Sequence, residues 1–244
     1  MEEFLTAHFW VAVGQIIMID ILLGGDNAVV IALACRQLPP ALRTKGILWG
    51  TAGAIVLRVI LIAFALALLS IPFLKLVGGV LLVWIGVKLL IPHEEDDHAN
   101  INPSDKLWGA VKTVIVADLV MSVDNVLAIA GAAQGASQGH QLPLVIFGLL
   151  VSIPIIVAGS QIVLKLMDRF PIIITLGGML LGWIAGSMIV GDPALAAWMP
   201  MEPGGEGQPQ QISRLAGYLG GVIGAIAVLL TGRLLAARQL RAAG

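Results

Sequence analysis

Ile19-Asp20-Ile21-Leu22-Leu23-Gly24-Gly25-Asp26-Asn27-Ala28 returns ninety-eight residues later as Ala117-Asp118-Leu119-Val120-Met121-Ser122-Val123-Asp124-Asn125-Val126. Both copies place two aspartates and an asparagine, in a D-x5-D-N pattern, inside an apolar run. A second match follows at almost the same offset. Gly78-Gly79-Val80-Leu81-Leu82-Val83-Trp84-Ile85 returns as Gly177-Gly178-Met179-Leu180-Leu181-Gly182-Trp183-Ile184. Two matches at nearly one offset mark an internal repeat rather than low complexity.

The apolar setting of these motifs extends over the whole chain. Of 244 residues, 58% are hydrophobic and 12% charged, and the mean hydropathy is +0.97. A soluble domain is about half apolar and about a quarter charged. The composition excludes a cytosolic globular enzyme and points to a polytopic membrane protein. Lys and Arg number 14 against 15 Asp and Glu, a net charge of -1 that suggests no nucleic-acid partner. With one cysteine, Cys35, an internal disulfide, a CxxC pair and a thiolate metal cage are all excluded. His8, His93, His98 and His140 fall outside the long apolar runs or at their edges.

A helix crosses a bilayer with about 20 apolar residues. Seven runs qualify: 9–33, 47–69, 73–91, 108–133, 144–166, 171–190 and 216–235. The N-terminus lacks the basic start and cleavage site of a removed signal peptide, so the first run is expected to remain as a span. Basic residues set the orientation. Arg36, Arg43, Lys45, Lys88, Lys106, Lys112, Lys165, Arg169, Arg233, Arg238 and Arg241 fall on one side, and Lys75 and Arg214 on the other. Eleven against two places the N-terminus outside and the C-terminus in the cytoplasm.

Spans 1–3 correspond to spans 4–6, and span 7 is left over. Three is odd, so the second copy starts from the opposite side of the membrane. The expected fold is an all-α membrane protein of seven transmembrane helices: two inverted three-helix repeats plus a C-terminal helix. Its parts are a first repeat at 1–91, an acidic cytoplasmic loop at 92–107, a second repeat at 108–191, an external linker at 192–215, and a seventh helix with a basic tail at 216–244. Inverted repeats are typical of secondary transporters, whose site lies near the midplane between the halves.

Asp20, Asp26, Asp118 and Asp124 all lie within roughly 8 Å of the midpoints of their spans at about 1.5 Å rise per residue. Four uncompensated carboxylates there would cost roughly 10–14 kcal/mol. They must be protonated, paired or bound to cations. The one fixed positive charge inside a span is Arg58, which reads as a counter-ion rather than a snorkelling residue, so most of the negative charge suits a divalent cation or protons. Asp20, Asp26, Asn27, Asp118, Asp124 and Asn125 offer oxygen donors, which favour Mg²⁺, Ca²⁺ or Mn²⁺ over Zn²⁺ or Cu⁺. Met121 would add a thioether and tilt the choice toward Mn²⁺, although a methionine in a membrane helix is more often packing.

On an unbroken helix, residues six apart sit about 120° apart around the axis. Gly24-Gly25 would permit a break that brings Asp20 and Asp26 together; Ser122-Val123 makes the equivalent break less favoured. Asp26 and Asp124 are expected to face the two access paths, with Asp20 and Asp118 nearer the centre. The glycine doublets at 78–79 and 177–178 read as close-packing points rather than hinges, and Trp84 and Trp183 as packing or interface anchors. His93-Glu94-Glu95-Asp96-Asp97-His98 would collect metal ions or, more commonly for such a run, form a solvated face. Met201 to Gln211, rich in Gly, Pro and Gln, reads as a flexible external linker.

Gly24-Gly25-Asp26-Asn27 and Ser122-Val123-Asp124-Asn125, with Asp20 and Asp118, resemble the TerC family of integral membrane proteins, and the likeness covers nearly the whole chain. That family is named for tellurium resistance, is grouped with lysine-exporter-like transporters, and has bacterial members associated with manganese export. The resemblance implies a bacterial inner-membrane exporter of Mn²⁺, carried as substrate with no resident cofactor. It also implies that the six Asp and Asn residues form the metal site. No cytosolic domain is appended, so roles tied to such domains are not expected.

Other readings are a Ca²⁺ or small organic cation exporter, or a membrane partner in metal delivery, tellurite resistance or envelope stress that transports nothing. An organic substrate would need a carboxylate-binding group, for which Arg58 alone is available. No enzymatic activity is expected. A retinal protein needs a Schiff-base Lys in its last span, a membrane haem protein needs intramembrane His ligands, and a primary pump needs a nucleotide motif; the sequence has none of these.

Overall fold

Backbone N–H and C=O groups in hydrocarbon must be satisfied within the protein, and a helix does this inside one segment. The computed structural model describes residues 7–64, 71–91, 102–133, 141–202 and 211–242. Among the described residues it is all-α apart from one small ribbon. The helices among the described residues are α1 (Ala7–Arg36), α2 (Pro40–Ala63), α3 (Leu74–Leu90), α4 (Pro103–Ala133), α5 (Gln141–Arg169), α6 (Ile172–Val190) and α7 (Arg214–Ala242). Among the described residues, Pro40–Ile62, Ile146–Arg169, Ile172–Val190 and Arg214–Gln239 are helical stretches long and apolar enough to cross a membrane.

Helix ends depart from the apolar runs where local chemistry overrides hydropathy. Pro39-Pro40 starts α2 seven residues before its run, because proline fits the first helical position. Arg43 and Lys45 therefore lie on the helix rather than in a loop. Gly24-Gly25 does not break α1, which runs continuously from Ala7 to Arg36. A glycine pair lowers helix propensity by about 1 kcal/mol per residue but does not force a break. Asp20 and Asp26 thus stay on different faces, and α4 is likewise continuous through Ser122-Val123. The expected external linker at 192–215 carries structure: a 3₁₀ turn at Pro193–Trp198, and an antiparallel ribbon pairing Met201–Glu202 with Gln211–Ile212 at the two ends of the stretch read as flexible. The His93–His98 run and His140 lie outside the described residues.

The helices gather into two compact units, each drawing on both halves of the sequence. The first holds α1, α2, α4 and α5. Here α1 packs on α5 and α2 on α4, with further contacts between α1 and α4 and between α2 and α5. A Cβ at Gly50 would meet Val114 at 2.9 Å, and one at Gly46 would meet Leu38 at 2.6 Å, Cys35 at 3.0 Å and Leu107 at 3.6 Å. The residue numbers of α2 and α4 rise together, so these helices run parallel. Arg43 closes the end where Gly46 lies. Its guanidinium donates to the Arg36 and Leu38 carbonyls at 3.1 Å each, and to Asp168 at the end of α5 at 2.7 Å. The C-termini of α1 and α5 and the N-termini of α2 and α4 therefore meet at one basic end.

The second unit holds α3, α6 and α7. Gly182 and Gly186 of α6 meet Gly224 and Gly220 of α7 backbone to backbone. This is the small-residue approach that substitutes for hydrophobic driving force between helices in lipid. Gly79 packs against Ala185 and Ile189, and Gly178 against Leu90. Trp183 packs on Tyr218 at 6.0 Å between ring centres, whereas Trp84 is exposed with the Lys88 ammonium 5.2 Å from its ring centre.

Asp192 fastens the far end of this unit. Its buried carboxylate accepts from the Phe73 and Leu76 amides at 3.1 and 2.9 Å and from Ala194 at 2.8 Å. It thereby caps α3, where Phe73 adopts φ 64°, a left-handed conformation unusual for a bulky residue. Burial pushes the carboxyl upward, but the amides of Leu76, Ala194, Phe73 and Lys75 outweigh this and hold it below the usual carboxylate range. A carboxyl lowered by folding stabilises fully above its unfolded value of about 3.9 and loses that contribution as pH falls toward the folded value. Asp192→Asn is expected to cost about 2 kcal/mol, since hydrogen bonds to a charged acceptor are worth roughly 1.5–3 kcal/mol. Thermal unfolding in detergent should show a wild-type loss below about pH 4 that the variant lacks; parallel curves would exclude the cap.

Candidate functional site

Arg58 is 3% exposed on α2 and ion-pairs with Asp118 on α4. Its Nη2 donates to Asp118 Oδ1 and its Nε to Ser122 Oγ at 3.1 Å. The Ser122 hydroxyl donates in turn to Asp118 Oδ2 at 3.1 Å, so both carboxylate oxygens are engaged. Ser122 lies one helical turn from Asp118, the spacing at which two side chains share a face. In the sequence Ser122 stands where the first copy has Gly24, and its four-residue distance from Asp118 is the signal for this bond.

Asp26 on α1 lies within electrostatic reach of both Arg58 and Asp118. Its Oδ1 accepts from the Asn27 amide at 2.8 Å. The Asn27 side chain is 3% exposed, and neither its Oδ1 nor its Nδ2 has a partner among the described residues. A buried amide without partners is costly, and each such group needs an explanation such as an absent ligand. Thr51, two turns before Arg58 on α2, is also buried with its hydroxyl unpartnered among the described residues. Met121 is buried on α4.

Counting along the helices from the shared level of Cys35, Gly46 and Leu107 gives depth. At about 1.5 Å per residue, Asp26 lies roughly 14 Å in, Asp118 roughly 17 Å and Arg58 roughly 18 Å. That is near the middle of a hydrocarbon core about 30 Å thick. The expectation that Asp118 sits central and Asp26 nearer one side translates into a difference of only about two residues' rise. The backbones of Asp20 and Asp124 fall near a second level, roughly 9 Å further along. The side chains of Asp20, Asp124 and Asn125 lie outside the described residues. Among the described residues the site therefore offers carboxylate, amide and hydroxyl oxygens together with the Arg58 cation.

Comparison with known proteins bears on what such an arrangement serves. The integral membrane protein TerC family matches residues 5–240. The chain is 44% identical over 184 residues to the uncharacterized membrane protein YjbE of Bacillus subtilis, covering 75% of this chain and 81% of the relative. It is 26% identical over 187 residues to YceF, another uncharacterized membrane protein of that organism, covering 73% and 70%. It is 26% identical over 138 residues to the inner membrane protein YgdQ of Escherichia coli, covering 50% and 58%. No solved structure matches.

Proposed function

The chain belongs to the TerC family of integral membrane proteins, and on that premise we propose that it is a secondary transporter exporting a divalent metal cation, Mn²⁺ foremost, from the cytoplasm. The observation that carries this reading is the group of buried Asn27, Arg58, Asp118 and Ser122, with half-buried Asp26 beside it, halfway along the first unit. A structural role would leave its polar groups satisfied. Among the described residues Asn27 instead presents an oxygen without a partner next to the Asp26 carboxylate in sequence, which suits a hard cation. Asp20, Asp124 and Asn125 complete the proposed ligand set, with Met121 as an accessory donor that would favour Mn²⁺ and protons as the exchanged species. The protein acts as a carrier, not an enzyme, and holds no resident cofactor.

Seven spans and inverted repeats form part of the proposal. Exchanging the halves maps α1 onto α4 and α5 onto α2, so the α1–α5 and α4–α2 contacts of the first unit become equivalents. The basic end formed by Arg36, Arg43, Lys45, Lys106, Lys112, Lys165 and Arg169 faces the cytoplasm of a bacterial inner membrane.

Purified protein in proteoliposomes should move ⁵⁴Mn²⁺ down an imposed gradient, with competition by Ca²⁺ weaker than by Mn²⁺. Asp26→Asn or Asp124→Asn should abolish the flux while leaving inserted, monodisperse protein. Flux by the wild type that persists in both variants would reject the site, and no flux by the wild type would reject transport.

A further inference from the structure

The Arg58 position has no cationic counterpart in the second repeat. At the offset relating the two D-x5-D-N motifs it corresponds to Ile156, an apolar residue on α5 that is 7% exposed. The two halves match in their acidic residues and differ in this cation. Arg58 is buried as deeply as the carboxylate it holds, and the clamp is closed on three sides. Asp118 Oδ1 receives Nη2, Oδ2 receives the Ser122 hydroxyl, and Ser122 receives Nε. Asp26, from the other repeat, lies in the field of the same guanidinium.

We propose that Arg58 is a tethered cation that occupies the Asp26–Asp118 level of the site when no metal is there, and that a divalent ion binds Asp118 only by displacing it. The inference rests on the transport reading. A metal approaching Asp118 meets the guanidinium charge already paired on Oδ1 and the Ser122 hydroxyl on Oδ2, and two cations crowded at one buried carboxylate repel, so ligation proceeds as the Arg58 pair opens. The guanidinium is always charged, and its fork suits a carboxylate. It therefore competes with the metal for the same oxygens. Its return after exchange expels the ion and leaves the empty carrier compensated in the bilayer interior, where unpaired carboxylates are expensive. Bound tightly without such a competitor, the ion would leave slowly. Arg58 thus trades affinity for release and acts as a positioning residue rather than a ligand.

The test separates affinity from turnover. Equilibrium ⁵⁴Mn²⁺ binding and proteoliposome efflux are measured on wild type, Arg58→Gln and Ser122→Ala. Arg58→Gln should bind Mn²⁺ at least tenfold more tightly while its maximal efflux rate falls at least tenfold. Ser122→Ala keeps every charge and opens one side of the clamp, and should tighten binding severalfold with a smaller loss of rate. A purely structural role would weaken both quantities together. Should Arg58→Gln fail to fold, Ser122→Ala decides. Unchanged or weaker binding in the folded variants, with the wild type binding and transporting Mn²⁺, overturns the tethered-cation role alone. A wild type that neither binds nor moves Mn²⁺ overturns the transport reading beneath it.

Discussion

Gly186→Leu is expected to drive α6 and α7 apart. A Cβ at Gly186 would run into the Gly220 carbonyl oxygen, and one at Gly224 into the Gly182 carbonyl oxygen. The obstacle in each case is backbone, which cannot rotate aside as a side chain does. The helices must separate, and they lose the dispersion contacts and weak Cα–H to carbonyl bonds that hold such pairs in lipid. Overpacking a fitted interior costs about 1–3 kcal/mol and more where nothing can give; leucine at this contact should exceed about 3 kcal/mol. Gly217→Ala on the same helix is the matched control. A Cβ there meets nothing within 4 Å, so that variant should be neutral or up to about 1 kcal/mol more stable, the helix-propensity gain of alanine over glycine. Thermal unfolding in detergent reads both. Equal stability of Gly186→Leu and wild type would mean that the glycine contact is not a packing constraint.

The sequence made the helices legible because hydrocarbon leaves the backbone few alternatives, so each apolar run appears within or across a helix. It also made Asp118 and Arg58 conspicuous, since charges at that depth need a reason. What it withheld depends on contacts distant along the chain. Asp192 reads as a polar residue after a span, and only the fold brings the Phe73 and Leu76 amides to it. The start of α2 followed from Pro39-Pro40 but was hidden by the hydropathy of the run beyond it. Gly24-Gly25 granted permission to break, and helix continuity prevailed. Close packing was expected at the glycine doublets, and Gly79 and Gly178 do pack closely. The tightest approach lies instead at Gly182, Gly186, Gly220 and Gly224, whose four-residue spacing is the signature that locates it. The gathering of helices from both halves of the chain into each unit is a tertiary choice that hydropathy does not encode.

Asp118 carries the largest expected separation of stability from function. Asp118→Leu leaves the Arg58 guanidinium buried without the carboxylate it pairs with, and removing one member of a buried ion pair costs about 3–5 kcal/mol. Arg58→Met leaves the Asp118 carboxylate in the same position and should cost about as much. The double variant Arg58→Met/Asp118→Leu removes both charges and fills similar volume with apolar groups, an exchange that is often neutral or stabilising by about 1–4 kcal/mol. Ser122 then returns its hydroxyl to a carbonyl one turn back, as Ser160 does to Ile156 at 2.8 Å, so no new buried donor is stranded. The double variant should therefore recover most of the stability lost by either single one, measured as thermal unfolding in detergent. Its ⁵⁴Mn²⁺ flux in proteoliposomes should nonetheless be lost, because restored packing does not restore a ligand. Stability losses that simply add would show that the two residues do not act as a pair. A stable double variant that still carries the metal would remove Asp118 from the route altogether, and with it the reason for a cation to sit beside it.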